Sequence, residues 1–141
     1  MSAISLRSFL VGDLSAHFSL DEFRCKVNGK PCPHCQGSVI VAPALIEALE
    51  DIREFSGLPI QNTSAYRCAA HNAAVGGKPH SAHLTGEAAD FWVSGDKDRF
   101  KFLEAIFTYG PMRIGIGKDF IHVDVSKTLP SEVCWLYGGK E

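Results

Sequence analysis

The basic residues of this sequence never gather. There are 14 Lys and Arg against 16 Asp and Glu, a formal net charge of −2, and no stretch is basic enough to make a patch. Without such a patch the chain has no electrostatic means of capturing nucleic acid. Long apolar runs are missing too, and every run falls far short of the ~20 residues that span a bilayer. Met1–Val11 lacks a basic leader followed by an apolar stretch and a cleavage site, so it does not read as a signal peptide. The expectation is a chain made in the cytoplasm, with no membrane segment. Internal repeats and low-complexity tracts are absent, and no histidine follows His122.

What is present is the composition of an ordinary globular protein, 45% hydrophobic and 21% charged, with 13 Gly and 7 Pro. A chain of 141 residues suits a single domain that buries roughly 68% of its unfolded surface. Ser19, with Glu22 three residues on, marks a short helix start. Residues 24–37 are dense in turn formers. Pro43 opens the clearest helix, with Leu45, Ile46, Leu49, Ile52 and Phe55 at helical spacing and Ser56-Gly57 closing it. Its apolar stripe is expected to lie on a sheet.

Leu58–Thr63 reads as a strand, and the Gly76-Gly77-Lys78-Pro79 region as a loop. Asp90–Val93 reads as strand and Asp96–Tyr109 as a second helix, with Phe100, Leu103, Ile106 and Phe107 on one face. Arg113–Ile116 and Phe120–Val125 form a hairpin around Gly117-Lys118-Asp119. The tail from Thr128 is turn-rich, with the aromatic pair Trp135 and Tyr137. The fold class is α+β: a small, mainly antiparallel sheet with helices packed on one side.

Two stretches carry chemistry. Ser81-Ala-His83-Leu-Thr-Gly86-Glu-Ala-Ala-Asp90 places a histidine and an acid around a greasy strand, and Asp119-Phe-Ile-His122-Val-Asp124 does the same downstream. A catalytic zinc takes about three protein ligands and keeps one position open. His83, Asp90 and His122 fit that count. Taken singly, each also reads as a hydrogen-bonded structural residue; together they point to a metal, because a buried Asp needs a cationic or donor partner. His122-Val-Asp124 also matches half of a two-histidine, one-carboxylate iron site. That reading fails, because its second histidine should lie downstream.

Five cysteines without a leader argue against a disulfide framework. Cys25, Cys32 and Cys35 form a close trio on the turn-rich loop, and Cys68 becomes a fourth ligand if the loop packs beside it. His34 is an alternative fourth ligand, and a disulfide or free thiols are the alternatives to a metal. Cys32-Pro-His-Cys35 has the spacing of a thiol oxidoreductase, but the polar turn before it does not suit that chemistry. Cys134 reads as a core residue.

Three blocks in order carry a resemblance: Ser64-Ala-Tyr66-Arg67-Cys-Ala-Ala-His71-Asn72-Ala-Ala-Val75-Gly76-Gly77, then Ser81-x-His83-x-x-Gly86-x-Ala88-x-Asp90, then Phe120-Ile-His122-Val-Asp124. Over about residues 40–126 the chain resembles the zinc D-alanyl-D-alanine carboxypeptidase family of murein carboxypeptidases, dipeptidases and endopeptidases. The metal core of that family is shared with the hedgehog signalling domain. The resemblance implies His83, Asp90 and His122 as ligands of a catalytic zinc; the Cys loop is a candidate for a second, structural ion on its spacing alone. It implies Asp119 as the general base, Arg67 as the donor to the oxyanion, and Ser81 as a substrate-binding group. One departure is Phe120, where some relatives carry a further histidine.

These residues divide one domain, 1–141, into a lead-in and Cys loop (1–40), a catalytic core (41–126) and a tail (127–141). The expected activity is hydrolysis of peptidoglycan stem peptides at D-Ala-containing bonds. A monomeric phage or prophage lysis enzyme, released through a separate holin-type pore, fits the size and the missing leader. Two other readings stand beside it. One is a non-catalytic zinc module that binds cell-wall peptide or a protein partner. The other is a structural protein whose metal sits in the Cys loop alone.

Overall fold

A computed structural model describes residues 12–138; Met1–Val11, on which the reading about a leader rests, lies outside the described residues. A 3-10 turn, Leu20–Phe23, follows Ser19, whose backbone N–H donates to the Glu22 carboxylate at 2.8 Å. Two short strands, β1 (Lys26–Val27) and β2 (Lys30–Pro31), pair across Asn28-Gly29, both with positive φ. Helix α1 spans Pro43–Ser56, β3 Asn62–Ser64, α2 Ala69–Ala74 and β4 Ala88–Trp92, with a 3-10 turn at Ala82–Thr85 before β4. Helix α3 (Gly95–Tyr109), β5 (Arg113–Ile116), β6 (Phe120–Asp124) and β7 (Val133–Leu136) complete the chain.

The five long strands form one sheet in the order β3-β4-β6-β5-β7, antiparallel except for the parallel β5–β7 pair. Strand alternation gives this sheet two faces. Ala89, Phe91 and Val93 from the β4 segment, Ile114 from β5, and Ile121 and Val123 from β6 enter the hydrophobic core. Leu45, Leu49 and Ile52 of α1 and Phe102, Ala105 and Ile106 of α3 join the same core, and the two helices pack on each other. This is the α+β architecture expected, with helices over one sheet face. The other face carries Asp90, His122 and Asp124.

Several details differ from the sequence expectation. Phe100 and Phe107 are 67% and 64% exposed, and Phe55 is exposed as well. At 100° per residue, Phe100 and Phe107 lie roughly 140–160° around the helix from Phe102. The stripe that α3 buries runs through Phe102, Ala105 and Ile106, where a small Ala suits close helix packing. The strand expected at Leu58–Thr63 is confined to Asn62–Ser64, and β4 begins two residues before Asp90. The loop region holds α2 and a 3-10 turn, both too short to show helical periodicity. The tail supplies β7, so Cys134 lies exposed on an edge strand rather than in the core. The lead-in contributes Phe18 and Phe23 to the core.

Candidate metal centre

Cross-strand register builds the site. Ser64 pairs with Asp90, Asp90 with His122, His122 with Gly115, and Gly115 with Trp135, so one transverse row crosses all five strands. The adjacent row runs Ala88–Asp124–Arg113–Val133. His83 reaches this face from the 3-10 turn before β4. Gly86 ends that turn with φ +73°, and a Cβ there would overlap the Ile40 carbonyl. Only glycine satisfies both demands. Its own carbonyl accepts from Ala42 N at 2.8 Å, joining the turn to the start of α1.

His83 Nε2 lies 3.4 Å and His122 Nδ1 2.8 Å from the same Asp90 oxygen, and the three ligand atoms all fall within 4.8 Å of one another. A tetrahedral ion with ~2.1 Å bonds has ligand–ligand edges of about 3.4 Å. The second nitrogen of each ring is also held. His83 Nδ1 donates to the Ala65 carbonyl at 2.5 Å, which leaves Nε2 with its lone pair facing Asp90. His122 Nε2 donates to Asp124 Oδ2 at 2.7 Å, the carboxylate–histidine support that metal-binding imidazoles use. Donor set, spacing and tautomers therefore fit a zinc ion.

Burial alone would raise the Asp90 pKa, but the His122 and His83 rings beside it prevail and keep it ionised far below the usual carboxylate range. Burial would lower the His122 pKa, and its contacts with the Asp124 and Asp90 carboxylates override it and raise it, so a proton on Nδ1 competes with an ion for that nitrogen. Asp124 is 1% exposed and is further paired with Arg113 Nε at 3.1 Å. Arg113 in turn lies over the Trp135 ring, 5.2 Å from its centroid.

These groups floor a cavity of about 730 Å³, lined also by Arg67, His80, Ser81, Phe120 and Tyr137. Trp135 stacks near His122 with ring centroids 5.4 Å apart. It can do so because Gly115 has no side chain; a Cβ there would sit within 2.8 Å of the indole. Burial pushes the Tyr137 hydroxyl up to about 12, so it is a neutral donor. Asn72 Nδ2 donates to the Lys78 carbonyl at 2.9 Å and pins the 76–79 loop along one wall. Arg67 N donates to the His83 carbonyl at 3.2 Å, and the buried Arg67 Nε has no hydrogen-bond partner among the described residues. Ser81 Oγ accepts from His83 N at 3.2 Å, capping the turn that carries the ligand.

His83, Asp90, His122, Arg67 and Ser81 thus share one cavity. Asp119 does not. It is exposed on the β5–β6 turn and absent from the cavity lining. Counting three residues back from His122 crosses to the opposite side of a strand of period two; the acid on the face of His122 is Asp124. Arg113, Trp135, Tyr137 and His80 also escaped assignment from the sequence. Only Asp124 carried a signal, its i+2 spacing from His122.

A two-histidine, one-aspartate centre held by outer hydrogen bonds at the floor of an open cavity is the centre of a metal-dependent hydrolase. The family is found directly: a family model described as Peptidase M15 matches residues 16–124, and the chain belongs to this zinc-dependent metallopeptidase family. No curated protein matches the chain.

Proposed function

We propose that the protein hydrolyses peptidoglycan stem peptides at D-Ala-containing bonds, with His83, Asp90 and His122 holding zinc. The observation that carries this reading is the pair of imidazoles, locked by Ala65 and Asp124 so that both lone pairs converge on Asp90 beneath an open cavity. A zinc ion bound there lowers the pKa of water from 15.7 toward about 7 and polarises the scissile carbonyl. Arg67, whose guanidinium lines the cavity, receives the developing oxyanion or a substrate carboxylate. Ser81 retains a hydroxyl proton to donate to a substrate carbonyl. Trp135 and Tyr137 supply an apolar wall with one neutral hydroxyl.

Proton acceptance is assigned to Asp119. The Asp124 carboxylate is committed to His122, Arg113 and the Ser126 N–H, so it orients rather than accepts. The Asp119 carboxylate makes no hydrogen bond among the described residues, and its role requires the β5–β6 turn to close on the bound peptide. The place of action is the cell wall.

Purified murein incubated with the zinc-loaded protein should release free amines, and the masses of the fragments name the bond. Asp119→Asn should abolish release while zinc stays bound, and His83→Ala should lose both. Release unchanged in His83→Ala sinks the peptidase reading; release unchanged in Asp119→Asn moves the base elsewhere. The outward position of Asp119 favours one rival, a zinc module that binds cell-wall peptide without turnover. It predicts peptide affinity and no new amines.

A further inference from the structure

We propose that Cys25, Cys32, Cys35 and Cys68 form a second, closed zinc site that fastens the backbone segment carrying Arg67. Their four sulfurs lie within 4.8 Å of one another, and none is in a disulfide. The Cys32–Cys68 separation of 3.9 Å is close to the ~3.8 Å edge of a tetrahedron with ~2.3 Å zinc–sulfur bonds. His34, the alternative ligand, is exposed and outside this group.

The surroundings suit thiolates. Cys68 N donates to Cys25 Sγ at 3.3 Å and His71 N donates to Cys68 Sγ at 3.4 Å, so backbone N–H groups point at sulfur. Cys25 and Cys32 are fully buried, and the backbone ties Cys32 N to the Cys25 carbonyl and Cys25 N to the Ser38 carbonyl, both at 2.9 Å. Behind Cys35, Gln36 and Gly37 both take positive φ, folding the loop back over the cluster. The loop has two-residue strands and little core of its own, so an ion supplies the stability that packing does not.

Position gives the site its consequence. Cys68 follows Arg67 and caps α2, while Arg67 N holds the His83 carbonyl and the Ala65 carbonyl orients the His83 ring. An ion on Cys68 therefore anchors residues 65–68 from outside the cavity lining.

The test is metal content and spectrum on the full chain. Zinc-loaded wild type should hold a further ion per chain beyond the one bound by His83. Its cobalt-substituted form should show thiolate-to-cobalt charge-transfer absorption. His83→Ala should lose an ion and keep that band; Cys35→Ser should lose the band and keep the other ion. A wild type without the band, or whose four clustered thiols react freely with a thiol reagent while zinc-loaded and folded, overturns the proposal. A Cys32–Cys68 disulfide found by mass in protein purified under reducing conditions does the same. The wild-type spectrum decides between these outcomes, whether or not a variant folds.

Discussion

His122, proposed as a zinc ligand, is held by groups outside the trio. Its ring sits between two carboxylates, Asp90 at 2.8 Å and Asp124 at 2.7 Å, and the second of these fixes which nitrogen is left for the ion. Asp124→Asn keeps the shape and removes the charge. It should weaken zinc binding about 10–100-fold, read by competition with a chelator, while all three ligands stay in place. Affinity equal to wild type would mean that Asp124 does not orient the ring. At this scale the convergence of His83, Asp90 and His122 is legible in the sequence because their neighbours are local: Ser81 and Gly86 build the turn around His83, and strand alternation carries Asp90 and His122. The outward position of Asp119 is not legible in the same way, because spacing counts along the chain whereas a strand sorts residues by face.

Elements are legible where one periodicity rules and illegible where two compete. Helix α1 starts at Pro43 and ends at Gly57, which has φ +72°, and its buried positions follow the expected stripe as far as Ile52, with Phe55 left exposed. Helix α3 carries two overlapping stripes, and the larger aromatic count points to the exposed one. Phe102→Ala should therefore cost about 3–5 kcal/mol in urea denaturation, whereas Phe107→Ser should stay within about 0.5 kcal/mol. Equal costs would mean that the helix buries the face expected from the sequence. Strand β7 leaves no readable signal, since Val133–Leu136 gains its place only by pairing with β5 and its outer side chains stay exposed.

Across the whole molecule, the sheet separates a hydrophobic face that holds the fold from a polar face that holds the site. The lead-in closes the first of these with Phe18 and Phe23 and is fastened to α1 at Glu50. That carboxylate accepts from Ser15 Oγ at 2.6 Å and His17 N at 2.7 Å, and pairs with His17 Nδ1. Burial would raise the Glu50 pKa; the hydrogen bonds from Ser15 and His17 prevail and lower it. A carboxyl with a lowered folded pKa stabilises fully above the unfolded value of ~4.3. That contribution is lost as pH falls through the folded value. Glu50→Gln should cost about 1–2 kcal/mol at neutral pH, and the difference from wild type should vanish in acid, measured by denaturation at both pH values. A difference that persists in acid would count against the ionised contact.

Sequence alone determined the α+β class, the two long helices, the β5–β6 hairpin and the trio His83, Asp90 and His122, because capping, periodicity and motif spacing are local properties. Tertiary structure decided which face each element buries and which distant residues meet. Arg113, Asp124 and Trp135 share a site because β5, β6 and β7 are neighbours in register, and Cys68 meets three cysteines more than 30 positions upstream because the loop folds back onto α2. Strand pairing and loop closure are fixed by burial of the whole chain, and no local pattern encodes them.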